Sequence, residues 1–280
     1  MGGECSHRGP LALVLAALLI VTPAIALGAD QNEKPAVSPD KFNGAYLKKL
    51  TLDFKNTVSA PIHWQSGDLI ALGLFAGATA ILYAKDQALT DWIRKLQTPV
   101  IPDAFVAKIG NGFFLTGFSV ALYLTGEAFR SPSMRKTALV GFESFVTASA
   151  LVLTIKTVIG RARPAAQEGT HSFHPFAFKN IYASFPSGDA AGAFALATFI
   201  AKESRSIVGD ILAYGVAGLV ALNRVHDGKH WPSDMFAGAA IGYFVGDKLF
   251  AINSGQAKPP VKLTVAPSFR YPGVSIIIAF

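Results

Sequence analysis

From Asp68 onward the chain is dominated by apolar segments that read as helices. They run from Leu69 to Ala84, Ile109 to Gly126, Thr137 to Ile155, Ala190 to Ala201, Ile211 to Asn223 and Met235 to Gly246. Pro, Gly and charged residues punctuate them, and the segments are rich in Gly and Ala. This pattern predicts an all-α bundle of about six apolar helices over residues 67–252. Two stretches depart from it. Residues 30–66 are polar and mixed, with Pro35, Pro39 and Pro61, and read as a linker followed by an amphipathic segment. In the tail, 253–280, Val261, Leu263 and Val265 alternate with other residues, as do Val274, Ile276, Ile278 and Phe280 beyond an Arg270–Gly273 turn. Period-two alternation on both sides of a turn predicts a small β-hairpin.

A helix that crosses a bilayer needs about 20 mostly apolar residues. Two uncharged runs, 69–84 and 109–126, are nearly long enough, whereas the other four are closer to buried core helices. Charges at their ends could still snorkel or line a cavity. Both an embedded bundle and a soluble or peripheral one fit these lengths. Composition shifts the balance: 51% of residues are hydrophobic and 15% charged, against about 25% charged in ordinary soluble domains. The net charge of +7 favours anionic lipid surfaces. No Lys/Arg-rich run points to nucleic acid.

The N-terminus has the three parts of an export signal: Arg8, an apolar run from Leu11 to Val21, and small residues at Ala24, Ala26 and Ala29. Residues 1–29 are therefore expected to be a signal peptide, with an uncleaved anchor as the alternative. The single cysteine, Cys5, would leave with it, so the mature chain would hold no disulfide and no cysteine metal site. If the signal is cleaved and every segment spans, the loop after the third helix faces the cytoplasm. A periplasmic site then needs one segment that does not span.

Three short segments concentrate the unusual residues, each at the end of an apolar helix. In Lys156–Pro164, Lys156 and Arg163 are two helical turns apart and would share a face, with Pro164 ending the element. Such a pair suits an anion, or is an ordinary basic helix end. In Ser184–Asp189, the amides of Ser187, Gly188 and Asp189 would open the next helix, as a phosphate cradle or a plain cap by Ser187. In Asn223–Asp234, Pro232 suits a first helical position. Asp234 stands four residues after His230 and can reach back to fix the imidazole tautomer, or is a first-turn acid beside a surface histidine.

Lys-x(6)-Arg-Pro, Pro-Ser-Gly and Arg-x(5)-His-x(3)-Asp, in this order, resemble the signature of the type 2 phosphatidic acid phosphatase and vanadium haloperoxidase superfamily, over about residues 137–250. The resemblance implies a site at the helix ends. Lys156, Arg163 and Arg224 would neutralise the phosphoryl oxygens, and Ser187 and the Gly188 amide would hydrogen-bond them. His230 would attack phosphorus in line, Asp234 would orient His230, and water would release the phosphate. No metal or cofactor is implied for such a phosphatase. The implied substrate is a phosphate monoester or pyrophosphate, lipid-linked, such as phosphatidic acid, undecaprenyl pyrophosphate or a lipid A phosphate. The implied place is the inner membrane facing the periplasm, or the periplasm in association with the membrane. The oligomeric state stays open.

Two positions depart from the family pattern. Asn223 replaces a serine. Asp189 replaces the histidine that serves as general acid. An aspartate donates a proton only when held protonated, and three nearby cations oppose that. A carboxylate also repels a phosphate dianion. His171, His174 or His226 could supply the proton instead. Otherwise the chain is a weak or inactive binder of phosphate lipids. A vanadium-dependent haloperoxidase is the remaining alternative.

Overall fold

The computed structural model describes residues 39–95, 110–255, 262–267 and 274–279. The expected signal peptide and the Arg270–Gly273 turn lie outside the described residues. Seven α-helices are present among them: α1 (Gly44–Val58), α2 (Ser66–Lys95), α3 (Gly112–Ala128), α4 (Pro132–Ile159), α5 (Gly188–Ser204), α6 (Ile207–His226) and α7 (Pro232–Ser254). Local chemistry sets their starts. Asn43 accepts a hydrogen bond from the Tyr46 amide at α1 and Asn111 from the Phe114 amide at α3. Pro132 and Pro232 occupy first helical positions, where a missing N–H costs nothing. In the tail, β1 (Lys262–Pro267) pairs antiparallel with β2 (Val274–Ala279), with Lys262 opposite Ala279 and Pro267 opposite Val274.

The helices outrun the uncharged runs because charged residues lie inside them. α2 continues past Lys85 and Asp86 to Lys95, and α4 takes in Arg135, Lys136 and Glu143. These charges are paired: Arg135 with Asp40, Lys136 with Glu203 at 3.6 Å, and Glu143 with Lys49 at 3.5 Å. With their ends included, α2, α4, α6 and α7 are each long and apolar enough to cross a membrane. By these helices the chain is a membrane protein. Counting uncharged residues singled out 109–126, but α3 is not among the four. A paired or terminal charge breaks a run without ending a helix.

α5 is the centre of the bundle. It is rich in alanine and buried from Ala190 to Ala193 and from Ala195 to Ala201, so neighbours approach it from several sides. α7 comes closest. A Cβ added at Gly238, Gly242 or Gly246 would lie 2.3 Å from the Ser187 carbonyl oxygen, 2.3 Å from that of Ala191 and 2.6 Å from that of Ala195. Glycines four apart share one helix face, and their bare backbone lets two helices meet without side chains between them. α1 lies across the opposite end of α4 and α7, where Tyr46 Oη donates to the Leu139 carbonyl at 3.0 Å and Asn253 Nδ2 donates to Asp53 at 3.2 Å.

This close seam gives a contrast that can be measured. Gly242→Ala, against α5 backbone, should cost about 1–3 kcal/mol by overpacking and lower the unfolding temperature in detergent. Gly117→Ala on α3, which meets nothing within 4 Å, should be neutral or raise it. Equal effects would show that the seam is not tightly packed.

Candidate active site

The three segments converge at one end of the bundle, where α4 and α6 finish and α5 and α7 begin. The first does so in an unexpected way. α4 stops at Ile159 and Gly160 caps it in the left-handed conformation, φ 61°. Arg163 therefore lies beyond the helix, not on the Lys156 face two turns on. A Cβ at Gly160 would fall 1.9 Å from the His174 carbonyl oxygen, so the close return of the following loop requires glycine here. Lys156 Nζ donates to the Ala183 carbonyl. Arg163 Nε is buried with no hydrogen-bond acceptor among the described residues.

Ser187 is the N-cap of α5, its hydroxyl accepting from the Ala190 amide at 3.3 Å. Its own amide donates to the Asp234 carbonyl at 2.8 Å, so of the three amides expected at a phosphate only those of Gly188 and Asp189 stay in the open first turn. Gly188 lies against Lys156: a Cβ there would be 3.7 Å from the lysine Cε. The Asp189 carboxylate forms an ion pair with Arg224, Oδ2 to Nε 2.8 Å.

His230 is 2% exposed, and its Nδ1 is 2.7 Å from the Ser184 carbonyl oxygen. A carbonyl only accepts, so Nδ1 carries the proton and Nε2 keeps the lone pair. Burial holds the His230 pKa well below the ordinary 6.5, and the charges of Lys156, Arg163 and Arg224 push it the same way. Neutral His230 and three cations thus share one site.

The expected direct contact from Asp234 to His230 is replaced by a relay. Asp234 accepts from the Ser184 hydroxyl at 2.5 Å, the Trp231 amide at 2.8 Å and Arg161 Nη1 at 2.6 Å. Ser184 in turn presents its carbonyl to His230. The reason is the helix start. α7 begins at Pro232, so His230 precedes it, while Asp234 in the first turn folds back to cap the Trp231 amide.

The residue that sequence reasoning passed over is Arg161. It is 1% exposed. Its Nη1 donates to Ser233 Oγ and Asp234, its Nη2 to Asp86 at 2.7 Å and to the Thr170 carbonyl at 2.9 Å. Asp86 also accepts from the Ser233 amide and hydroxyl, at 2.8 and 2.6 Å. Tyr83 and Trp231 place ring faces 4.7 and 5.6 Å from the guanidinium carbon. The available signal was an acid, Asp86, just after the apolar run of α2. The alternative proton donors are engaged elsewhere: His171 Nδ1 with Tyr83 Oη at 2.5 Å, and His174 Nε2 with Glu168 at 2.7 Å. His226 ends α6. Among the described residues no cluster of His, Cys, Asp and Glu is suited to a metal ion.

Residues 138–254 match the family model of the PAP2 superfamily, and the match takes in all three segments. Over this stretch the chain is similar to the PAP2 superfamily. It is 32% identical over 148 residues to a lipid A 1-phosphatase of Porphyromonas gingivalis, covering 51% of this chain and 30% of that one. A second, from Rhizobium johnstonii, is 38% identical over 105 residues, covering 36% and 41%. A probable lipid phosphate phosphatase 4 of Arabidopsis thaliana is 32% identical, covering 38% and 44%. The chain thus spans less than half the length of each of these relatives. Among solved structures, Aquifex aeolicus LpxE aligns with a TM-score of 0.46 at 24% identity, over 59% of this chain and 93% of that one.

Three outcomes follow for this site. Arg161→Leu strands two buried carboxylates and should cost about 3–5 kcal/mol, read as a lowered unfolding temperature in detergent; an unchanged temperature would mean the network carries no stability. In the free protein, the His230 imidazole followed by nitrogen-15 NMR should titrate below pH 6.5, staying neutral through pH 7. Arg163→Gln should raise that midpoint, because it removes a charge that disfavours imidazolium.

Proposed function

We propose that this protein hydrolyses a lipid-linked phosphate monoester or pyrophosphate through a phospho-histidine. The observation that carries the reading is His230: buried, with Nδ1 committed to a carbonyl and Nε2 the free nucleophile, beside Lys156, Arg163 and Arg224. In this reading the three cations and the Gly188 amide hold the phosphoryl oxygens. The Nε2 lone pair forms a P–N bond as the P–O bond to the lipid breaks, and the leaving oxygen takes up a proton. Water then attacks phosphorus, the P–N bond breaks and inorganic phosphate departs. Phosphoryl transfer depends mostly on positioning and charge stabilisation, which such a site supplies without elaborate covalent chemistry. Asp234 acts through Ser184 as a positioning residue. The lipid character of the substrate is supported by the membrane-spanning helices and by the names of the lipid A 1-phosphatases and the lipid phosphate phosphatase that the chain resembles.

We propose a location in the inner membrane, with the site and α1 on opposite faces. α1 packs at the bundle end away from the site. If α2 to α7 all traverse the bilayer, a periplasmic site puts α1 on the cytoplasmic side. A cleaved export signal would reverse both.

One observation favours a second reading, a weak or inactive binder of phosphate lipids. The Asp189 carboxylate pairs with Arg224, so a phosphoryl group must share that cation with an internal anion, and the proton donor is missing. Release of inorganic phosphate from phosphatidic acid, a prenyl pyrophosphate and an aryl phosphate decides between the two. Wild type should turn over slowly and His230→Ala not at all; release that survives in His230→Ala rules out the phospho-histidine. Asp189→His should raise kcat on phosphatidic acid by about 100-fold, the low end of general acid catalysis. If wild type releases nothing and Asp189→His changes nothing, the binder reading holds.

A further inference from the structure

A cavity of about 300 Å³ lies beside the phosphate site, between the last turns of α4 and the loop that follows. We propose that it seats the leaving-group side of an amphiphilic phosphate ester, with Lys179 and Asn180 on its polar headgroup and Leu153 and Phe178 on the start of its acyl portion. The proposal rests on the phosphatase reading for what is cleaved, but not for what is bound.

Continuity with the phosphate site is the first argument. Lys156 and Ala183 line the cavity, and they are joined by the hydrogen bond from Lys156 Nζ. A phosphate held by Lys156 would therefore have its ester side at the cavity mouth.

The walls are built rather than incidental. The His174 amide donates to the Gly160 carbonyl at 2.7 Å and the Phe176 amide to the Thr157 carbonyl at 2.8 Å, which clamps the loop onto the end of α4. Glu168 braces the far side. It accepts from Ser172 Oγ at 2.6 Å and Tyr182 Oη at 3.2 Å and pairs with His174, whose ring stacks on Tyr182 at 3.9 Å. Phe176 and Phe178 hold positive φ, 59° and 49°. Bulky residues adopt that conformation only where their surroundings impose it. The result is a Phe178 side chain turned outward, 84% exposed.

Chemistry selects the occupant. The lining combines apolar residues, Phe178 and Leu153, the latter 66% exposed on a helix able to cross the membrane, with polar and cationic ones, Lys179 and Asn180 together with Lys156. The volume suits a headgroup and not a helix or a folded partner. An anionic or hydroxyl-rich headgroup with acyl chains matches both kinds of lining; a free phosphate matches only the cationic one.

Binding in detergent measures this without turnover, using the full chain carrying His230→Ala. Calorimetry compares dioctanoyl phosphatidylglycerol phosphate, whose leaving-group side carries a phosphodiester and a glycerol ahead of its acyl chains, with inorganic phosphate. Phe178→Ser and Lys179→Glu should each weaken the lipid about tenfold, which is 1.4 kcal/mol, and change inorganic phosphate less than about twofold. Retained inorganic phosphate binding shows that each variant is folded. If either fails that control, Phe178→Ala or Lys179→Ala replaces it, with the same pattern expected. Loss on neither ligand, or equal loss on both that persists in the alanine variants, overturns the subsite. Phosphate release by the wild type is read separately. Its absence would overturn the hydrolase reading while leaving a selective lipid loss in place.

Discussion

A guanidinium buried where water cannot reach it must be neutralised, and Arg161 is neutralised by two carboxylates from distant parts of the chain. Asp86 comes from α2 and Asp234 from α7, and the Thr170 carbonyl adds the intervening loop. Arg161 offers five donors in a rigid plane, so its partners have little freedom in where they stand. The site inherits that order. Asp234 is fixed by Arg161, Ser184 by Asp234, and the His230 tautomer by Ser184. The acid that seemed poised to touch the histidine acts one residue removed.

The second constraint is mechanical. The glycines of α7 lie against α5 backbone, and the same contact carries the hydrogen bond from the Ser187 amide to the Asp234 carbonyl. Helix packing and site assembly are thus one interface. In a lipid environment little hydrophobic force brings helices together, so close backbone approach is a direct route to a defined arrangement. It also accounts for a central helix rich in alanine.

Within the site, charge is distributed unevenly. Lys156 and Arg163 face a neutral histidine, while Arg224 already holds the Asp189 carboxylate. In the proposed reading, a bound phosphoryl group would compete with Asp189 for Arg224. The cavity beside Lys156, lined by Leu153 and Phe178 as well as Lys179, would suit the proposed substrate, part polar and part apolar.

The sequence by itself determined the six apolar helices, the hairpin-forming alternation of the tail and the order of the motif residues, because these are written in local periodicity, caps and spacing. Pro232 at a first helical position and Ser187 at a cap were readable for the same reason. Tertiary structure decided the rest. Whether a charge ends a helix depends on its partner: Glu143 sits inside α4 with Lys49, 94 residues away in the chain, close by. That α4 stops at Gly160 rather than at Arg163 depends on the return of the His174 carbonyl, since only a glycine tolerates that approach. Arg161 looked like one more basic residue in its motif. Its role appears only when α2 brings Asp86 to it across 75 residues, because the cost of burying a charge is set by what the fold places around it and not by its neighbours in sequence.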